Sequence, residues 1–286
     1  MQVELRSEFI DTNNITLHVM RAGHPEDPLI IFLHGFPEYW KSFALQVQSM
    51  TDAGYQVMLP DQRGYNLSDK PHRIGSYKVD KLAQDILGLI HHASKETAVI
   101  VGHDWGGLVT WYLAAHYPHR VDRTVVLNAP HGSVFTKFYK TNPEQHKRSA
   151  YIKWFQLPYL PQKRLKSKNF KNLADRLIAS SRENTFSETD ITGLKVAWGQ
   201  KRAMPCMLNW YRAIARRRLR ITSKIVDKPH LIIWGAKDNF LLADMAEASL
   251  KYCKKGSLKL VDDATHWIQH EEPEMVSSEI LSFLNS

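Results

Sequence analysis

The chain has 286 residues, with 38 Lys and Arg against 29 Asp and Glu, for a formal charge of +9. A hydrophobic fraction of 43% with 23% charged residues is ordinary for a globular protein and excludes disordered, collagen-like and coiled-coil chains. No apolar run reaches the roughly 18–20 residues that span a bilayer. The opening Met1-Gln2-Val3-Glu4-Leu5-Arg6 has neither the basic nor the apolar region of a signal peptide, so a cytoplasmic location is expected.

Ile15 to Met20 alternates like a half-buried strand, and Leu29 to Leu33 is a continuous apolar run that stops at His34-Gly35, as a buried parallel strand would. A helical stretch follows from about Tyr39 to Ala53, then a strand Tyr55–Leu59 ended by Pro60. Val79 to His92 has apolar spacing near 3.6, the mark of an amphipathic helix. Ala98–Val101 reads as a strand before Gly102, Leu108–His116 as a helix and Arg123–Leu127 as a further strand. After Asn128-Ala129-Pro130 the alternation stops, and residues 131 to about 223 are helical in period without a convincing buried strand. It resumes with a strand His230–Trp234, a helix near Leu242–Tyr252, a strand Leu258–Val261 and a helix from about Glu274 to Leu284. Strands alternating with helices imply an α/β fold with a mostly parallel sheet. The expected domains are a core of residues 1–130 and 224–286 and an inserted all-helical cap of residues 131–223.

The charge is concentrated in that insertion. Residues 131–223 hold 20 Lys and Arg against 5 Asp and Glu, and the remainder 18 against 24. Such an excess attracts anions, whether an anionic substrate tail, an acidic surface or nucleic acid. The plainer reading is a solvated helical face, as in Arg216-Arg217-Arg218-Leu219-Arg220 at a helix end, where cations complement the dipole. No nucleic-acid module accompanies the charge, so no nucleic-acid partner is expected. Cys206 and Cys253 lie in no metal-binding or disulfide spacing and read as inert thiols.

The chemistry sits at strand ends. Val101-Gly102-His103-Asp104-Trp105-Gly106-Gly107 follows a strand and opens a helix, which is the pattern of a nucleophile elbow with Asp104 where esterases carry Ser. The plainer alternative is an Asp N-cap with glycines for close packing. His34-Gly35-Phe36-Pro37 ends an earlier strand, where a loop N–H would join the N–H after the nucleophile in an oxyanion hole. Those donors would be Phe36 and Trp105, because Pro37 has no N–H. His34 and Pro37 are expected beside the substrate. Asp238 and His266 follow the last two strands, giving the order Asp104, Asp238, His266 of nucleophile, acid and histidine. Asp238 would hold the His266 tautomer, and His266 would act as general base.

HGFPEYW, the run from Pro60 to Asp69, GHDWGG, Leu208-Asn209-Trp210-Tyr211-Arg212 and the final Thr265-His266-Trp267 together resemble the soluble epoxide hydrolases along essentially the whole chain. The resemblance implies an α/β-hydrolase fold, no metal, no organic cofactor, and an epoxide and water as substrates. It also implies two cap tyrosines hydrogen-bonded to the epoxide oxygen. Tyr211 matches one. At the other, the family's Tyr-Phe-Gln-x-Pro reads Trp154-Phe155-Gln156-Leu157-Pro158 here. An indole N–H donates a hydrogen bond but cannot transfer its proton, so Tyr151, one helical turn earlier, is the substitute that the spacing offers. Two alternatives follow from the same residues. A haloalkane dehalogenase would use the same triad with Trp105 and Trp154 as a halide clamp, and a non-enzymatic receptor would keep the fold alone.

Overall fold

The computed structural model describes residues 3–215 and 224–286. The arginine run Arg216–Arg220 lies outside them. Eight strands, β1 (Arg6–Thr12), β2 (Ile15–Ala22), β3 (Leu29–Leu33), β4 (Gln56–Pro60), β5 (Ala98–His103), β6 (Val121–Leu127), β7 (His230–Gly235) and β8 (Gly256–Val261), form one sheet. Their order is β1-β2-β4-β3-β5-β6-β7-β8. β2 pairs antiparallel with β1 and β4, and every pair from β4 to β8 is parallel.

The continuous apolar runs are explained by burial on both faces of the sheet. Alternate side chains of a strand point to opposite sides. Ile30 and Phe32 pack with Phe43, Met50 and Ile280 on one face, while Leu29, Ile31 and Leu33 meet Leu82, Ile86 and Leu89 of the helix Val79–His92 on the other. β1 was not among the expected strands. Only Ile10 and Thr12 of its seven residues are buried, so an edge strand paired on one side has little apolar periodicity to read.

Between β6 and β7, the described residues form six helices and no strand of the sheet. Indole N–H groups tie these helices to the strand-end loops. Trp198 donates to the Pro37 carbonyl and Trp210 to the Arg63 carbonyl. In the other direction, Trp267 donates to the Ser180 hydroxyl. No helix among the described residues is long and apolar enough to cross a membrane.

Candidate active site

β5 delivers Asp104 into a sharp turn. Its backbone has φ +49° and ψ −114°, a conformation that residues with a β-carbon seldom adopt and that is retained where function requires it. The helix Trp105–His116 starts at once, three residues before the expected Leu108. Gly106 and Gly107 obscure that start in the sequence, but packing demands one of them. A β-carbon on Gly106 would fall 2.0 Å from the Leu33 carbonyl oxygen.

Gly35 makes a second close approach possible. A β-carbon there would lie 2.6 Å from Asp104 Oδ1, so glycine lets the loop after β3 lie against the carboxylate. The Phe36 N–H then donates to Oδ1 at 2.9 Å. The other oxygen, Oδ2, lies 3.8 Å from His266 Nε2. The Trp105 N–H belongs to the first turn of its helix, where backbone donors have no partner within the helix.

His266 and Asp238 come from the loops after β8 and β7. His266 Nδ1 donates to Asp238 Oδ2 at 2.6 Å. Asp238 also accepts the N–H groups of Phe240 and Leu241 at 2.7 and 3.0 Å and the Asn128 amide at 2.7 Å. A proton on Nδ1 leaves Nε2 bare and turned toward Asp104. Burial pulls the His266 pKa down, but the charge and hydrogen bond of Asp238, with Asp104 and Glu38 beyond, outweigh it and the net shift is upward. For Asp238, burial favours the acid form, yet His266, Asn128 and the backbone N–H hold its pKa below the ordinary value.

A buried polar layer lies behind the histidine. His103 Nε2 donates to the His266 carbonyl at 2.8 Å, while its Nδ1 lies 3.2 Å from the Gln269 amide and 3.3 Å from Glu38. Glu38 also meets His270 Nε2 at 2.6 Å. The sequence reading missed Asn128, Glu38 and His103 as supporting residues. Asn128 had a visible signal, since it stands where the alternation breaks before Ala129-Pro130, and it adopts φ +43°. His103, inside the elbow motif, was the other legible clue.

Two cavities, of about 750 and 310 Å³, meet at this carboxylate. Asp104, Tyr151, Tyr211 and Phe240 line both. Phe36, Pro37 and Trp154 line only the larger, and Trp105 only the smaller. Tyr151 and Tyr211 meet edge to face with ring centroids 5.9 Å apart. Tyr211 stands 4.7 Å from the Trp105 ring. Burial, reinforced by the negative charge of Asp104, pushes both phenol pKa values above the ordinary range.

One expectation changes. His34 lines neither cavity. It is buried, its Nε2 accepts the Gln62 N–H at 3.0 Å, and its ring abuts Tyr65. Its surroundings are those of a loop anchor, not a substrate contact. The phenol beside Tyr211 is Tyr151, as the spacing offered, while Trp154 packs on Phe155 at 5.4 Å.

Comparison with known proteins agrees with this geometry. Residues 28–273 match the family model described as the alpha/beta hydrolase fold. The chain is 42% identical over 282 residues to the AB hydrolase superfamily protein YfhM of Bacillus subtilis, covering 99% of each. It is 34% identical to epoxide hydrolase 1 of Caenorhabditis elegans, covering 98% of this chain and 70% of that one. The chain belongs to the epoxide hydrolase family of the α/β-hydrolase fold. A solved structure of the same family, a Bacillus megaterium epoxide hydrolase in complex with an inhibitor, superposes with a TM-score of 0.90 at 29% identity, covering 98% of this chain and 100% of that one. The eight-stranded, mostly parallel sheet is the fold of this family, and the protein is an epoxide-hydrolase-like enzyme.

Proposed function

We propose that this protein hydrolyses an epoxide to a vicinal diol through an ester on Asp104, beneath a helical cap whose described part is residues 131–215. The observation that carries the reading is the asymmetric setting of the Asp104 carboxylate. Oδ1 is held by the Phe36 N–H at 2.9 Å, and Oδ2 is free to face the cavity and His266 at 3.8 Å.

In the first step, Oδ2 attacks an epoxide carbon, the carbon–oxygen bond on the far side breaks, and the ring oxygen leaves as an alkoxide. Tyr151 and Tyr211 supply the hydrogen bonds, and one of them gives a proton. Their raised pKa values keep both phenols protonated until an alkoxide basic enough to take the proton has formed. In the second step, His266 Nε2 removes a proton from water, and the hydroxide attacks Cγ of the ester. The developing charge on Oδ1 meets the N–H groups of Phe36 and Trp105. Collapse expels the diol and restores the carboxylate, and the proton gained by His266 returns through solvent to the tyrosine. The atoms sum to epoxide plus water giving diol.

A single turnover in oxygen-18 water with excess enzyme tests this. The first diol should lack the heavy label, because its new oxygen comes from Asp104. With His266→Gln, intact-protein mass spectrometry should show an adduct of the substrate's mass. Full labelling of the first diol would mean direct attack by water and end the ester reading. The pair of phenols, Tyr151 and Tyr211, beside Asp104 favours an epoxide over the haloalkane of the dehalogenase alternative, and the complete Asp104–His266–Asp238 arrangement favours an enzyme over a receptor.

A further inference from the structure

The chain stretch that lines one side of the larger cavity has a character that ester chemistry does not require. From Glu144 to Asp175 the chain carries eight Lys and Arg against two acids, Glu144 paired with Arg148 and Asp175 with Lys171. Lys147, Arg148 and Arg164 of this stretch line the larger cavity together with Trp154. The same stretch holds Leu157, Tyr159 and Leu160 out to solvent at 43%, 79% and 61% exposure. Tyr159 adopts φ +58°, a region usually left to glycine, and it does so immediately before the helix Leu160–Ala179.

We propose that this face docks on an anionic lipid bilayer, with Leu157, Tyr159 and Leu160 entering the interface and the surrounding cations meeting lipid phosphates. Three observations favour a bilayer over another acidic partner. A cationic surface with an apolar tip matches a membrane interface, which pairs negative headgroups with an accessible apolar layer. Among the described residues, 131–215 hold 16 Lys and Arg against 5 Asp and Glu and the rest 18 against 24, a split that would orient the molecule cap first toward a negative surface. Residues of the same stretch, Lys147, Arg148 and Arg164, line the larger cavity that reaches Asp104, so docking by this stretch would hold that cavity near the lipid.

Co-sedimentation with vesicles tests the proposal. Binding to phosphatidylcholine vesicles containing about 30% phosphatidylglycerol should be at least about tenfold tighter than to phosphatidylcholine alone, and about 0.5 M salt should abolish it. The triple substitution Leu157→Ser, Tyr159→Ser and Leu160→Ser should weaken it about tenfold or more, with an unchanged circular dichroism spectrum. As a second measurement in a conservatively changed protein, Tyr159→Trp should add a fluorescence component quenched by brominated anionic lipids. The proposal is overturned if anionic vesicles do not bind at low salt, or if neutral vesicles bind equally well. Binding that the triple substitution leaves intact would also overturn it, as would an added fluorescence component that brominated lipid leaves unquenched in the Tyr159→Trp protein. Tight binding to duplex DNA that ignores the apolar turn would identify a general polyanion surface instead.

Discussion

Strands β3, β4, β5 and β7 are buried at every position, whereas the helix Leu160–Ala179 buries only six of its twenty residues. The helical insertion has a large excess of cations, and the rest of the chain a modest excess of acids. The contributions to the site divide along the same line. Asp104 and Asp238 follow β5 and β7, which are buried at every position, and His266, after the exposed edge strand β8, is tied to Asp238 by a 2.6 Å hydrogen bond. Tyr151 comes from the short helix Ala150–Phe155, and Tyr211 from the helix Ala203–Ala215, whose side chains are mostly buried in the core. In the proposed mechanism the strand ends carry the nucleophile and its base, and the insertion carries the phenols.

Removing a strand-end group should do the most damage. Asp104→Asn should lower epoxide turnover by about 10⁴-fold or more, the scale of losing a covalent nucleophile, and mass spectrometry should find no adduct. Turnover within about tenfold of the parent would show that the sheet does not supply the nucleophile.

The helical side should be more forgiving because it offers two phenols. Tyr151→Phe and Tyr211→Phe together should cost roughly 10²–10⁴ in turnover, the range for losing a general acid, with each single change milder. A Trp154→Tyr protein that alone gained activity would instead restore position 154 as the acid.

Acid separates the regions at their junction. His131, at the start of the first inserted helix, and His230, in β7, both contact the Trp111 ring. Burial pulls their pKa values down to about 4 and about 3, with His131 also disfavouring charge on His230. In the unfolded chain these imidazoles take up protons near pH ~6.5. Between there and about pH 4 the unfolded state therefore binds more protons. The stabilising contribution is complete above about pH 6.5 and is lost as pH falls toward 4, by roughly 1–3 kcal/mol in denaturant titrations. Turnover should respond through a different histidine, one shifted in the opposite sense. His266 must be neutral to activate water and its pKa is raised, so the acid limb of kcat should lie above the ordinary histidine value of about 6.5.

The smallest effect is expected at Trp154. It lines the larger cavity and packs on Phe155, which in turn meets Tyr211, so Trp154→Phe should change epoxide turnover by less than about threefold. Chloride or bromide release from haloalkanes, lost in that variant alone, would revive the halide clamp.

Much of this was legible because it is local. A buried parallel strand needs an apolar run, an elbow needs small residues around its nucleophile, and the order Asp104, Asp238, His266 follows strand ends in chain order. What escaped depends on neighbours distant in sequence. His34 sits in the same motif as Phe36, yet its ring turns inward because the Gln62 N–H and Tyr65 receive it. Asn128 acquires its role only where the end of β6 meets Asp238, 110 residues later. The polar edge strand β1 exists because β2 supplies its ladder.

The sequence alone determined the strand and helix alternation, the helical interruption after residue 130, and which side chains stand at the strand ends, since backbone propensity and hydrophobic period act over a few residues. Only the tertiary structure decided that β4 lies between β2 and β3, that Tyr151 and not Trp154 faces Tyr211, and that the two cavities meet at Asp104. These are contacts across the insertion and the sheet. They are set by how whole elements pack, and no short window of sequence contains both partners.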